Sequence, residues 1–320
     1  MVKVVLAGLG NIAPRAAEGI IYAENADFYG VVSASREKAV RFEEQFGVRH
    51  QYATLEEALD DDQVDLIYLT LPNQLHYGSI VKCLEAGKSV LCEKPMLDTQ
   101  DKIRELFGLA RAKGCMLMEA QKELFTPLTQ KLGRLVRSGA IGRLMAVRAD
   151  YSGFLPGDGV DPGHWVLADE FGGCSYDIGV YPIAWANAFA GAPIKRIGTA
   201  SAGKEGRADW FMSASITYEN GVAADVSASW LWSQPDVKGR GFLGGTDGFI
   251  TADNYWKGTQ ARLVTPEGTE LIKVGQKSDF TGQIEHICRC IEEGRTESPV
   301  LGEIQSLEIA KVLEAVRNRQ

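Results

Sequence analysis

The chain has 320 residues, 45% of them hydrophobic and 24% charged, with a formal net charge of −8. That length is roughly twice the ~150 residues of a typical domain, so two domains are expected, each large enough to bury its own core. The acidic balance argues against a nucleic-acid binder, which needs a basic face to meet phosphates, and no stretch approaches the ~20 apolar residues of a membrane span.

The start, Met1-Val2-Lys3-Val4-Val5-Leu6-Ala7-Gly8, has too short an apolar run before its first glycine for a signal peptide. Residues 2–7 read as a strand, and 12–25 as a helix with Pro14 tolerated in its first turn. A strand over 28–35 and a helix over 37–46, closed by Gly47, follow. The continuous apolar run 65–71 has the pattern of a parallel strand covered on both faces. Next come a helix over 75–86 stopped by Gly87, a strand over 89–92, a helix over 101–112 and a strand over 115–119. Strand and helix alternate to about residue 121, which specifies an α/β domain, a doubly wound parallel sheet of the Rossmann type, over 1–121.

Beyond that point the pattern changes. Residues 127–138 read as helix, 144–151 as strand, and 152–173 as a long loop rich in Gly, Pro and Asp. Segments 212–218 and 222–232 alternate with period two around Asn220-Gly221, a hairpin turn. More strand follows through 273, and helices over 284–293 and 303–317 close the chain. The second domain, 122–320, is expected to be α+β, with a large, mostly antiparallel, open-faced sheet. The six cysteines (83, 92, 115, 174, 288, 290) lack paired zinc-site spacing and read as reduced, buried thiols of a cytoplasmic protein. His50, His164 and His286 have no ligand spacing, so no metal is expected.

Gly8-Leu9-Gly10-Asn11-Ile12-Ala13 is G-x-G-x-x-A between the first strand and the first helix. Gly8 permits the tight turn, Gly10 lets a pyrophosphate approach the backbone, and Ala13 lets helix and strand pack closely. The helix N-terminus adds amide donors and a positive dipole end. At the end of the second strand, Val32-Ser33-Ala34-Ser35-Arg36 contains no acid to take a ribose 2′-hydroxyl, which would favour NAD. Ser35 and Arg36 could instead hold a 2′-phosphate, favouring NADP, although Arg36 also reads as a solvated helix-start residue. Glu93-Lys94-Pro95 follows a buried strand, which puts Lys94 at the carboxyl edge where open α/β sheets place ligands. In Gly172-Gly173-Cys174-Ser175-Tyr176-Asp177-Ile178-Gly179-Val180-Tyr181, Asp177 and Tyr181 share one face of a predicted helix. By themselves they read equally as a helix-start charge and a packing ring. Trp165, in the long loop, is a candidate substrate contact, and Trp210, Trp230 and Trp232 read as packing for the large sheet or its interface.

Together with Leu71-Pro72-Asn73-x-x-His76 and Ala86-Gly87-Lys88-x-Val90-x-x-Glu93-Lys94-Pro95, these motifs resemble the glucose–fructose oxidoreductase, inositol dehydrogenase and MocA family. The resemblance runs along nearly the whole chain, including Ser138-Gly139-x-Ile141-Gly142-Arg143. It implies that Lys94 stands near the nicotinamide and the reacting oxygen, that Asp177 belongs to the active-site motif of the second domain, and that Leu71, Pro72, Asn73, His76 and Glu93 lie along the cofactor cleft. Many members carry a histidine four residues after the aspartate. Here it is Tyr181, a variant that resembles the dimeric dihydrodiol dehydrogenase branch.

The expected chemistry is oxidation of a secondary alcohol or its reverse. A phenol titrates near ~10 in isolation, and a neighbouring ammonium lowers that value, so Lys94 suits Tyr181 as a partner from the other domain. Tyr181 then carries the hydroxyl proton while Lys94 polarises the oxygen. The sequence thus predicts an NADP-dependent oxidoreductase, with NAD as the other cofactor candidate, acting on a sugar, polyol or dihydrodiol. The partners expected are a small-molecule substrate and a second copy in a homodimer or dimer-based tetramer, with neither nucleic acid nor membrane. The alternative from another class is a catalytically silent dinucleotide sensor on the same fold.

Overall fold

The computed structural model describes residues 1–154, 165–167, 172–203 and 208–318. The first part of the chain forms β1 (Val2–Ala7), α1 (Ala13–Tyr22), β2 (Ala26–Val32), α2 (Arg36–Phe46), β3 (His50–Tyr52), α3 (Leu55–Leu59) and β4 (Leu66–Leu69). It continues through α4 (His76–Glu85), β5 (Ser89–Glu93), α5 (Gln100–Lys113) and β6 (Leu117–Ala120). These strands make one six-stranded sheet in the order β3-β2-β1-β4-β5-β6. Every pairing in it is parallel. Leu66–Leu69 and Ser89–Glu93 are buried at every position, because helices cover both faces. The order reverses between β1 and β4, the switch point where a doubly wound sheet opens a crevice at its carboxyl edge.

The rest forms α6 (Pro127–Arg137), β7 (Leu144–Ser152), α7 (Val180–Ala190), β8 (Ile194–Gly203), β9 (Asp209–Tyr218), β10 (Ala223–Ser229) and β11 (Arg240–Gly245). Then come β12 (Phe249–Asp253), β13 (Gln260–Thr265), β14 (Gly268–Lys273), α8 (Thr281–Glu292) and α9 (Glu303–Arg317). Its sheet is eight-stranded, in the order β14-β13-β12-β11-β7-β10-β9-β8. Only the β7–β10 pairing is parallel. Helix α7 packs against β7 and β10, with Trp185 buried. The Asn220-Gly221 hairpin is present, with Gly221 at φ +85°. Strand β8 escaped the sequence reading because it is an edge strand whose alternation is broken by the exposed pair Lys195-Arg196, the usual protection of an open edge.

The chain divides into two compact units, Met1–Phe125 with Lys277–Ser306, and Thr126–Gln276 with Leu307–Gln320. The sequence division at 121/122 left α8 in the second domain, whereas its contacts lie with α1, β1 and β2 of the first unit. Ile284, Ile287 and Cys288 are fully buried there, and Phe280 closes on α1 where Gly19 leaves no side chain in its way. Among the described residues no helix is long and apolar enough to cross a membrane.

Candidate active site

Just past β1, Gly8 adopts φ +102°, and a Cβ there would fall 2.9 Å from both the Leu71 side chain and the Thr70 carbonyl oxygen. Thr70 Oγ1 donates to the Gly8 carbonyl at 2.6 Å, tying the turn to the end of β4. A Cβ on Gly10 would instead meet nothing within 4 Å, so the space in front of the turn is open. Asn11 is exposed and Ile12 half-buried before α1, whose first residue, Ala13, is buried against the sheet. No acid stands in the first turn of α1, which leaves its positive end available to an anion.

The turn opens on a cleft of about 470 Å³. Leu71 and Pro72 form one wall, Thr54 and Leu55 another, and Ser33, Ala34, Ser35 and Lys38 close the end beyond β2. Ser35 caps α2, its Oγ accepting from the Lys38 N–H at 3.3 Å. Arg36 is exposed and does not line the cleft, whereas Lys38 does. The sequence names Arg36, the first base after the strand, and not Lys38. The spacing from the cap Ser35 to Lys38 is the signal that finds the second, since residues three apart share a helical face.

Lys94 is half-buried at the carboxyl end of β5. Its own N–H donates to Glu93 Oε2 at 3.3 Å. The other oxygen, Glu93 Oε1, accepts from the Tyr68 hydroxyl at 2.6 Å, and Tyr68 in turn accepts from Gln283 Nε2 at 3.1 Å. Two residues on, the Met96 N–H donates to Glu119 Oε1 at 3.1 Å, and Glu119 also accepts from Gln121 Nε2 at 3.0 Å and Ser306 Oγ at 3.2 Å. Burial pushes the carboxyls of both Glu93 and Glu119 above the ordinary range. Asn73 is buried in the turn before α4. His76 does not line the cleft as the resemblance implied. It is fully buried, with Nε2 2.9 Å from the Leu71 carbonyl oxygen and Nδ1 3.1 and 3.2 Å from those of Pro95 and Met96. Burial lowers its pKa against the upward pull of those three carbonyls.

In the second unit the start of α7 is anchored by Asp209, a residue the sequence did not single out. It accepts from Ser175 N at 3.1 Å, Ser175 Oγ at 2.8 Å and Cys174 Sγ at 3.1 Å. Gly173, at φ +101°, makes room for it, since a Cβ there would fall 2.0 Å from Asp209 Oδ1. Burial pushes the Asp209 carboxyl up. Ser175–Gly179 forms a π-helical turn rather than the plain α-helix predicted, and α7 follows it. Such turns admit an extra residue per turn and recur at functional sites. Asp177 is half-buried and accepts from Trp230 Nε1 at 3.3 Å. Trp230 is itself buried, as its assignment to packing expects, while Trp232 is exposed. Tyr181, also half-buried, has its ring 5.7 Å from that of Tyr151, which stacks on Trp256 at 3.9 Å. The Trp165 side chain and most of the long loop lie outside the described residues. Among the described residues no cluster of His, Cys, Asp or Glu is arranged to hold a metal.

Two family profiles match the chain. Residues 2–121 match the Gfo/Idh/MocA profile described as an oxidoreductase family with an NAD-binding Rossmann fold, and residues 129–251 match the Gfo/Idh/MocA C-terminal domain. The chain is 28% identical over 299 residues to mouse trans-1,2-dihydrobenzene-1,2-diol dehydrogenase, covering 90% of this chain and 86% of that one. It is 27% identical over 314 residues to an NADP(+) D-xylose 1-dehydrogenase of Haloferax volcanii, covering 97% and 94%. Among solved structures, the 3-ketoreductase KijD10 of Actinomadura kijaniata, in complex with NADP and TDP-benzene, superposes with a TM-score of 0.85 at 25% identity, covering 99% and 97%. With residues 2–121 and 129–251 matched and the expected strand order present, the chain belongs to the Gfo/Idh/MocA family of oxidoreductases.

Proposed function

We propose that this protein is an NADP(H)-dependent oxidoreductase that interconverts a secondary alcohol and a carbonyl on a sugar, polyol or dihydrodiol. The observation that carries the reading is the cleft of the first unit, where the glycine turn and an acid-free strand end with Ser35 and Lys38 line one space. The residues fit a dinucleotide. Gly10 leaves open space where a pyrophosphate needs backbone approach, and the first turn of α1 carries no acid of its own. Ser35 and Lys38 supply a hydroxyl and an ammonium for a 2′-phosphate. The cofactor named for the xylose dehydrogenase and for the ketoreductase complex supports the same choice, and the names of the curated relatives support the substrate class.

When bound, NADP(H) supplies or accepts the hydride. The chain's own part is to handle the proton: Lys94 polarises the substrate oxygen, Tyr181 gives or takes its proton, and Asp177 orients the group. Nothing favours the silent-sensor alternative. The same reading makes the protein a cytoplasmic homodimer or dimer-based tetramer, paired through the open sheet face on which Phe249 and Leu271 are exposed. Sedimentation as a monomer at micromolar concentration would reject that assembly.

The function is tested by titrating NADPH and NADH, then following NADPH oxidation and NADP reduction against sugars, ketoses, polyols and diols. Lys38→Ala should weaken NADPH selectively by about 1.5–3 kcal/mol, the scale of a charge-assisted contact, and Arg36→Ala by less. A wild type that prefers NADH, or equal losses for the two cofactors, would overturn the cofactor assignment.

A further inference from the structure

His76 is a buried ionisable group that this chemistry leaves without a role. It opens α4, and its ring nitrogens face two separate loops. Nε2 meets the carbonyl of Leu71, a wall of the cleft. Nδ1 meets the carbonyls of Pro95 and Met96, the residues that follow Lys94. A carbonyl oxygen only accepts, so each nitrogen must carry a proton to bind the loop it faces, and a neutral imidazole has one such proton. Burial, with the Lys94 ammonium nearby, opposes a second. The neutral ring therefore donates to one loop and turns a lone pair toward the other. Glu93 and Glu119 also hold the Lys94 loop, but through its N–H groups.

Resting on the reading of the first unit as a dinucleotide-binding unit, we propose that His76 is a positioning residue that couples the cleft wall at Leu71 to the loop presenting Lys94. Occupancy of the cleft then sets which loop receives the imidazole proton, and so how the lysine is held.

The test uses the full-length protein with its histidines labelled with ¹⁵N. There are four, and the His76 pair is assigned by its loss in His76→Asn. NADPH is expected to shift both His76 nitrogens in the wild type while leaving His286, which pairs with Ser298, in place. His76→Phe, which keeps a ring but no donor, should weaken NADPH binding by roughly fivefold, one hydrogen bond's worth. It should also lower kcat by about tenfold with the second substrate's KM unchanged, because a displaced Lys94 loses orientation rather than affinity. His76→Asn, which keeps one donor, should recover part of both losses. A wild type that binds NADPH with unmoved His76 resonances overturns the coupling alone, as does a folded His76→Phe with wild-type affinity and kcat. A wild type that binds no dinucleotide overturns the underlying reading as well. Should His76→Phe fail to fold, the wild-type spectra decide.

Discussion

The loop that carries Lys94 and the helix start that carries Asp177 and Tyr181 are held by different physical means. In the first unit, the backbone of residues 94–96 is gripped by three ionisable side chains out of water, Glu93, Glu119 and His76. In the second, one buried carboxylate, Asp209, binds the turn, and aromatic groups lie against the two side chains: Trp230 on Asp177, Tyr151 beside Tyr181. Buried polar networks fix geometry firmly, but each member is costly to remove and sensitive to its protonation. Aromatic packing tolerates any change that keeps the ring. The lysine loop should therefore respond to pH and to small polar changes, and the tyrosine helix mainly to loss of ring volume or of one specific donor.

The largest expected effect tests whether the two regions serve one reaction. Lys94→Ala should leave the glycine turn and its cleft intact, so NADPH should bind at near wild-type strength. Turnover should fall by roughly two orders of magnitude or more, the scale of lost acid–base assistance. Tyr181→Phe keeps the ring beside Tyr151 and should fall as far, with the corresponding limb of the pH–rate profile missing. Because groups of one machine do not act additively, the double variant should be little worse than the worse single one. Multiplying losses in steady-state kinetics would separate the two regions into independent roles.

A smaller effect sharpens the contrast on the aromatic side. Trp230→Phe keeps most of the buried ring and removes the N–H that Asp177 accepts. Turnover should drop by roughly tenfold, as for a lost hydrogen bond to a charged group, with the thermal midpoint nearly unchanged. A clear fall in that midpoint at unchanged kcat would make Trp230 a packing residue and nothing more.

How much of this was legible in the sequence follows the same division. The glycine turn, the alternation of strand and helix, and the placement of Lys94 at a strand end are local signals, and the sheet order agrees with them. Asp209 and Trp230 left no such signal, because their partners lie 34 and 53 residues away and meet only when the second sheet forms. His76 was singled out through its motif but given the wrong place, since a motif does not say on which side of a cleft wall a ring lies. Residues 277–306 were misassigned for a related reason: an amphipathic helix announces a buried face but not the surface that buries it. The π-helical turn at Ser175–Gly179 begins where Asp209 takes the N–H of Ser175, again a distant contact.

The smallest expected effect lies on the ionisable side and concerns stability rather than turnover. Glu123 is fully buried in the short turn after β6, and burial pushes its carboxyl up to about 8, against the downward pull of Lys122 and Lys94 and with the upward push of Glu119. Lys122 is engaged by Asp279 at 2.6 Å, and Asp279 by Arg15 at the same distance, so that ammonium is already shared. A carboxyl whose native pKa exceeds its unfolded value binds its proton more tightly when folded. The native state then holds more protons than the unfolded one, and stability falls as pH rises through the interval between the two values. For Glu123 that interval runs from the ordinary glutamate value of 4.5 toward about 8, and the raised carboxyls of Glu93 and Glu119 push the same way. The thermal midpoint of the wild type should therefore decline from mildly acidic to mildly alkaline pH, and Glu123→Gln, which cannot ionise, should decline less. Parallel profiles for the two proteins would show that Glu123 binds its proton equally in the folded and unfolded chain, so that burial does not raise it, and would leave the pH response of this unit to the carboxylates that grip the Lys94 loop.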